Sequence, residues 1–385
     1  MKTIAGALAL TCTLLSAGQE PAKASDELTA RIDAIRVKAE LPALAGALVT
    51  REGLQGVWVT GLRQKGGDEP VTPDDQWHIG SCTKSMTATL LALLVKRGDL
   101  TWEVPLGDAL PELAGGMNER FREVPLVQLV CHRAGLTDGA LMEHFQEWRT
   151  SKAPVMEQRE ELCRLALAAA PAHEPGSTFE YANTGFVIAG HVAEVATGKP
   201  WEELIRTLLF SPLGMTSAGF GAPGVPDADD QPRGHFPGGG PVEPGPMADN
   251  PSIVGPAGTV HATLGDWAKY VQLHLKGVGE DVKLGEITLT VDDFAVLHEA
   301  FDGPGQSYGF GWVHETRPWA GGDGTALWHN GSNTMWYALT WLGLENGVAG
   351  LAVTNVFTPA AQGATDEVVG LLVKEWERRA VPAPK

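Results

Sequence analysis

Apolar and polar positions change their period along this chain, and the changes divide it into three stretches. Near the start, Ser25-Asp26-Glu27 followed by Leu28, Ile32, Ile35 and Val37 predicts a capped amphipathic helix. Apolar runs at 44–50 and 56–62, split by Arg51-Glu52-Gly53, read as a β-hairpin. The middle of the chain is helical in composition or apolar spacing at 81–97, 125–132, 156–169, 182–197 and 201–209. Residues 221–258 are dense in Pro, Gly and Asp, which predicts a long irregular surface segment of the kind that carries function. A further helix is predicted at 264–275. Strand-like runs return at 308–314, 326–329, 335–342 and 348–356, and 367–379 closes the chain as an amphipathic helix.

Strands at both ends with helices between them predict an α+β fold. One antiparallel sheet is built from both termini and flanked by the terminal helices, and a mostly helical lobe is inserted. The boundaries expected are 25–75 and 285–385 for the α/β lobe and 76–284 for the mainly helical lobe. A cleft between two such lobes is the expected place for a substrate.

The first 24 residues carry a separate message. Lys2, an apolar run from Ile4 to Leu15 and the small-x-small pattern Ala22-Lys23-Ala24 predict a signal peptide. Export would place residues 25–385 in the periplasm or outside the cell. The apolar run is short for a membrane span, and Cys12 lacks the context of a lipoprotein site, so no stable membrane anchor is expected. Losing the +1 carried by Lys2, Lys23 and Glu20 would take the net charge from −18 to −19. A surface this acidic argues against nucleic-acid binding. Cys82, Cys131 and Cys163 would remain, an odd number that permits at most one disulfide and favours buried free thiols. No Cys/His cluster has ligand spacing, so neither a metal nor another cofactor is expected.

Candidate chemistry begins at Gly80-Ser81-Cys82-Thr83-Lys84. Ser81 falls where a helix starts, within the positive end of its dipole, and Lys84 at i+3 shares its face. A lysine buried there would lose charge and could take the serine proton. Ser-x-x-Lys alone is a pattern that chance supplies readily; its plain reading is a helix cap followed by a solvated charge. Tyr181-Ala182-Asn183 is rarer in a chain with four tyrosines. It lies at a loop–helix junction after Pro175-Gly176, where both polar residues can face a cleft. A tyrosine near a lysine can give up its proton more easily and act as acid or base, and Asn183 could donate to a substrate carbonyl. His329-Asn330-Gly331-Ser332 ends a candidate strand. A glycine there admits substrate backbone, and the following amide could share an oxyanion with the amide of Ser81.

Taken in order, Ser81-Cys82-Thr83-Lys84, Tyr181-Ala182-Asn183 and His329-Asn330-Gly331 resemble the three motifs of the serine β-lactamase and penicillin-binding protein superfamily. The tyrosine form of the second motif is similar to the class C β-lactamase, D,D-peptidase and related esterase branch. The resemblance implies an acyl-enzyme on Ser81, with Lys84 and Tyr181 sharing the proton transfers. Asn183 and His329 would orient substrate, and the Ser81 and Ser332 amides, beside Gly331, would hold the oxyanion. At 329, β-lactamases usually carry a lysine, a permanent cation; a histidine near its reference pKa is mostly neutral at pH 7. The expectation is therefore a hydrolase of esters or D-amino-acid amides acting on a small molecule or peptide, cell-wall peptides among the candidates. A true β-lactamase and a slowly acylating penicillin-binding receptor are the alternatives.

Other features are expected to be bland. Gly305-Gln306-Ser307-Tyr308-Gly309 matches the nucleophile elbow of another hydrolase fold but lacks the strand before and the helix after. Trp77, Trp328 and Trp336 are expected to pack rather than line the cleft. His132 and His144 are read as structural.

Overall fold

The computed structural model describes residues 26–301 and 303–380. The leader assigned to 1–24 lies outside the described residues. Helix α1 (Asp26–Lys38) leads into strands β1 (Ala43–Thr50) and β2 (Gly53–Gly61). Five late strands join them: β3 (Tyr308–Gly309), β4 (Trp312–Thr316), β5 (Thr325–Gly331), β6 (Tyr337–Gly343) and β7 (Val348–Thr354). They form one seven-stranded sheet in the spatial order β3-β4-β5-β6-β7-β1-β2, antiparallel throughout. The first and last parts of the chain meet where β1 pairs with β7, Leu44 opposite Thr354 and Thr50 opposite Val348. The α+β class and the sheet built from both termini are as the apolar pattern predicts.

Residues 308–314 are not one strand. Phe310 and Gly311 take positive φ (51° and 84°) and fold the run into a tight hairpin between β3 and β4. Gly311 is required there, because a Cβ would fall 2.5 Å from Ser85 Cα.

Every residue of β1 is buried, so both faces of the sheet are covered. Leu44 and Leu48 point to one side, where Leu28 and Ile32 of α1 meet Val368 and Leu372 of the closing helix, Pro359–Ala380. Each such side chain stabilises by about 1.5–3 kcal/mol on burial. Gly46 lets that helix come close, since a Cβ there would fall 2.6 Å from Val368 Cγ1. Ala45, Ala47 and Val49 point the other way, into a core continuous with the helical lobe. Helix Leu264–Gly277 packs directly on this second face.

Within the lobe, helix α2 (Thr83–Arg97) is buried along its whole first three turns and stops at Gly98, which caps it at φ 86°. Helix α3 (Asn183–Thr197) is likewise buried and ends at Gly198. Residues 221–258 depart from expectation. Their first part is irregular and partly exposed, but 253–258 runs through the interior within the turns Ser252–Val254 and Gly255–Gly258. Fully buried Arg159 holds it there, bonded to Glu194 and Glu202 and donating to the carbonyls of Ser252 (3.0 Å) and Ile253 (3.2 Å). A buried charge needs such partners. Cys82, Cys131 and Cys163 are free and buried. No helix among the described residues is long and apolar enough to cross a membrane.

Candidate active site

A short strand, Gln76–His78, pairs with Val260–Thr263 and then turns sharply at Gly80 (φ 51°) into a 3-10 turn, Gly80–Cys82, that runs on as α2. Ser81 therefore sits half-buried at the helix start, and Lys84 lies one turn on along the same face. The Lys84 Nζ donates to Ser81 Oγ (3.0 Å), Asn183 Oδ1 (2.8 Å) and the Ala257 carbonyl (2.8 Å). Burial pushes the lysine down to about 7, with Asp138 pulling the other way. At neutral pH a large share of it is an unprotonated amine.

Tyr181 donates its hydroxyl to Ser81 Oγ at 2.9 Å, and Lys84 Nζ lies 4.9 Å from the tyrosine ring centre. The residue as a whole is 40% exposed, yet burial of the hydroxyl drives its pKa above the ordinary value. This reverses the expectation that a neighbouring lysine eases loss of the phenol proton. The cause is desolvation of the hydroxyl, with the Asp138 charge adding to it; the hydrogen bond to Ser81 opposes the shift but does not cancel it. Tyr181 donates to Ser81; Lys84, once neutral, keeps its two N–H groups for Asn183 and Ala257 and turns its lone pair to the Ser81 hydroxyl as a base.

Asn183 sits between two groups. Its Oδ1 accepts from Lys84, and its Nδ2 donates to Asp138 Oδ2 at 2.8 Å. Asp138 also accepts from the backbone and hydroxyl of Thr184 (2.8 and 2.9 Å), capping the start of α3 from another part of the chain. Asp138 carries no sequence signal; it joins the site only through folding. The same holds for the Ala257 carbonyl.

The end of β5 crosses the Ser81 turn at close range. A Cβ on Gly80 would collide with the amide of Ser332, and one on Gly331 would fall 2.5 Å from the amide nitrogen of Ser81. Both glycines are thus required, and the close crossing brings the Ser81 and Ser332 amides near each other.

His329 does not present a charge to the cleft. It is buried, its Nδ1 lies 2.5 Å from the Asn330 carbonyl, and its Nε2 pairs with Tyr308 at 3.1 Å. Burial and the nearby Lys84 amine hold it down at about 3, so it is neutral. His132 proves to border the site: its ring centre is 4.3 Å from that of Tyr181, and its Nδ1 accepts the Ala182 amide at 3.2 Å. It fixes the backbone between Tyr181 and Asn183. His144 lies away, paired with Glu147 at 2.9 Å. Trp77 and Trp336 pack edge to face in the core, and Trp328 stacks on Trp341. Ser307 is followed by the two-residue strand β3 and not by a helix, so no nucleophile elbow forms. An arrangement in which one hydroxyl meets an amine and a phenol is equipped for nucleophilic attack and return of the proton.

Known proteins share this framework. Penicillin-binding protein 4 of Amycolatopsis lactamdurans is 27% identical over 90% of this chain and 90% of its own. Esterase EstB of Burkholderia gladioli is 28% identical over 50% of this chain, which spans about half (52%) of that relative. A class C beta lactamase from Rhodobacter sphaeroides superposes with a TM-score of 0.71 at 20% identity, covering 92% of this chain and 100% of its own. The family model described as Beta-lactamase matches residues 28–374, and the chain belongs to that family of serine hydrolases.

Proposed function

We propose that this hydrolase is exported and cleaves esters or D-amino-acid amides through an acyl-enzyme on Ser81. The observation that carries the reading is the pair of contacts at Ser81 Oγ, 3.0 Å from the Nζ of a lysine near pKa 7, which as a neutral amine accepts the serine proton, and 2.9 Å from a tyrosine hydroxyl that donates. Neutral Lys84 takes the serine proton as Oγ attacks the acyl carbon. The carbonyl electron pair moves to oxygen, held by the amides of Ser81 and Ser332. Collapse expels an alcohol or amine, which takes its proton from Tyr181 while Lys84 restores that proton to the tyrosine. Water then enters by the reverse path: it loses a proton, attacks the acyl carbon, and Ser81 leaves protonated.

The substrate class rests on position 329. A neutral, buried histidine offers no permanent cation for a substrate carboxylate, which favours uncharged esters and amides over β-lactams. The relative named as a penicillin-binding protein supports a second reading, slow acylation by penicillins with little turnover. A panel of nitrophenyl esters, D-alanyl amides and one cephalosporin, assayed on a single preparation, separates them. The expected order is esters and amides well above the cephalosporin; cephalosporin turnover exceeding both would make it a β-lactamase. Export is checked by sequencing the N-terminus of protein recovered outside the cytoplasm, with Ser25 expected first.

A further inference from the structure

We infer that Asp249 is a positioning residue that ties together the two turns forming the oxyanion site; the inference rests on the hydrolase reading above. One oxygen of this carboxylate, Oδ1, meets donors from both sides. On one side His78 accepts the Gly80 amide on Nδ1 at 3.1 Å, which leaves its proton on Nε2, 2.7 Å from Asp249 Oδ1. That contact is short but bent away from hydrogen-bond geometry, so it holds the ring beside the carboxylate as a polar contact. On the other side Asn333 Nδ2 donates to the same oxygen at 3.1 Å and to the Ala248 carbonyl at 3.0 Å. His78, Asp249 and Asn333 are all buried.

The two turns need holding. Gly80 is at φ 51° immediately before Ser81, and Thr334 is at φ 77°, a costly conformation for a β-branched residue, two positions after Ser332. Asn333 Oδ1 accepts the amides of Met335 and Trp336, both at 3.2 Å, so its side chain organises the whole 332–336 turn. The link His78–Asp249–Asn333 therefore sets the spacing between the Ser81 and Ser332 amides. Asp249 touches neither substrate nor reacting atoms. Shifting two donors by a fraction of an ångström weakens an oxyanion site before it affects substrate binding.

The test uses Asn333→Asp, which keeps the acceptor for Met335 and Trp336 but turns an oxygen toward Asp249. Turnover of nitrophenyl acetate is measured beside inhibition by phenylboronic acid, whose serine adduct carries the tetrahedral anion. Expected are parallel losses of at least about tenfold in kcat and in boronate affinity, with KM within about twofold. Adding Asp249→Asn removes the facing charge and should recover part of both. Asp249→Asn alone, isosteric and with a weaker acceptor, should lower both by a smaller, equal factor, and it carries the test if Asn333→Asp does not fold. Boronate affinity unchanged in Asn333→Asp or in Asp249→Asn, or no recovery in the double variant, would overturn the link. A wild-type enzyme that boronate does not inhibit would instead overturn the hydrolase reading.

Discussion

Lys84 and Asn183 are bound to each other at 2.8 Å, and the amide passes the contact on to Asp138, so the nearest carboxylate reaches the lysine only through a neutral group. The lysine is thus surrounded by oxygens that carry no charge. Burial lowers its pKa to about 7, and Asp138 opposes the shift only from a distance.

The pH dependence follows from that balance. The base is active when Lys84 is neutral, so kcat/KM should rise with pH through about 7 and then level off. Asp138→Asn removes the charge that favours the ammonium form, and the rising limb should move to lower pH. A limb near 10, or a shift upward in the variant, would contradict the assignment.

Tyr181→Phe removes one hydroxyl while leaving the ring packed on His132. A loss of about 10²–10⁴-fold in turnover is expected for a proton carrier. Thermal stability should change little, because the hydroxyl makes a single hydrogen bond, to the half-buried Ser81. Turnover within twofold of wild type would remove Tyr181 from the mechanism.

Gly331→Ala would place a methyl group 2.5 Å from the Ser81 amide. The strand must move away, which costs about 1–3 kcal/mol and separates the two amides. A lower melting temperature together with loss of esterase activity is expected. A fully active alanine variant would show that the crossing is looser than the structure has it.

Acid should destabilise the fold through partly buried histidines. Burial holds His298 at about 3 and both His314 and His261 at about 4, against an unfolded value near 6.5. Above 6.5 the groups are neutral in both states and their contribution is complete. As pH falls from 6.5 toward 4 the unfolded chain binds protons first, so stability declines. Denaturation midpoints should be flat between pH 7 and 8 and drop below about pH 6. A midpoint constant down to pH 4.5 would contradict this.

Much of this site was legible because its chemistry is local in sequence. Ser81 and Lys84 are one helical turn apart, and Tyr181 and Asn183 flank a single residue, so spacing alone puts each pair together. The apolar and strand-like runs at 44–50 and 348–356 likewise point to a sheet closed by both ends of the chain. Groups joined only by folding were not legible: Asp138 reaches Asn183 across 45 residues, and the Ala257 carbonyl reaches Lys84 across 173. The interior course of 253–258 is hidden for the same reason. Its Pro/Gly composition describes a backbone without regular structure, and only the buried Arg159 explains why such a backbone lies inside. The state of Tyr181 is not legible in the sequence either, because desolvation of its hydroxyl depends on how the folded chain surrounds it.

The most direct test of the chemistry is intact mass spectrometry with peptide mapping after brief exposure to a slowly hydrolysed ester or a fluorophosphonate. Expected is one adduct, on the peptide holding Ser81, absent in Ser81→Ala and formed far more slowly in Lys84→Ala. An adduct elsewhere, or esterase turnover undiminished in Ser81→Ala, would contradict the assignment of Ser81 as nucleophile.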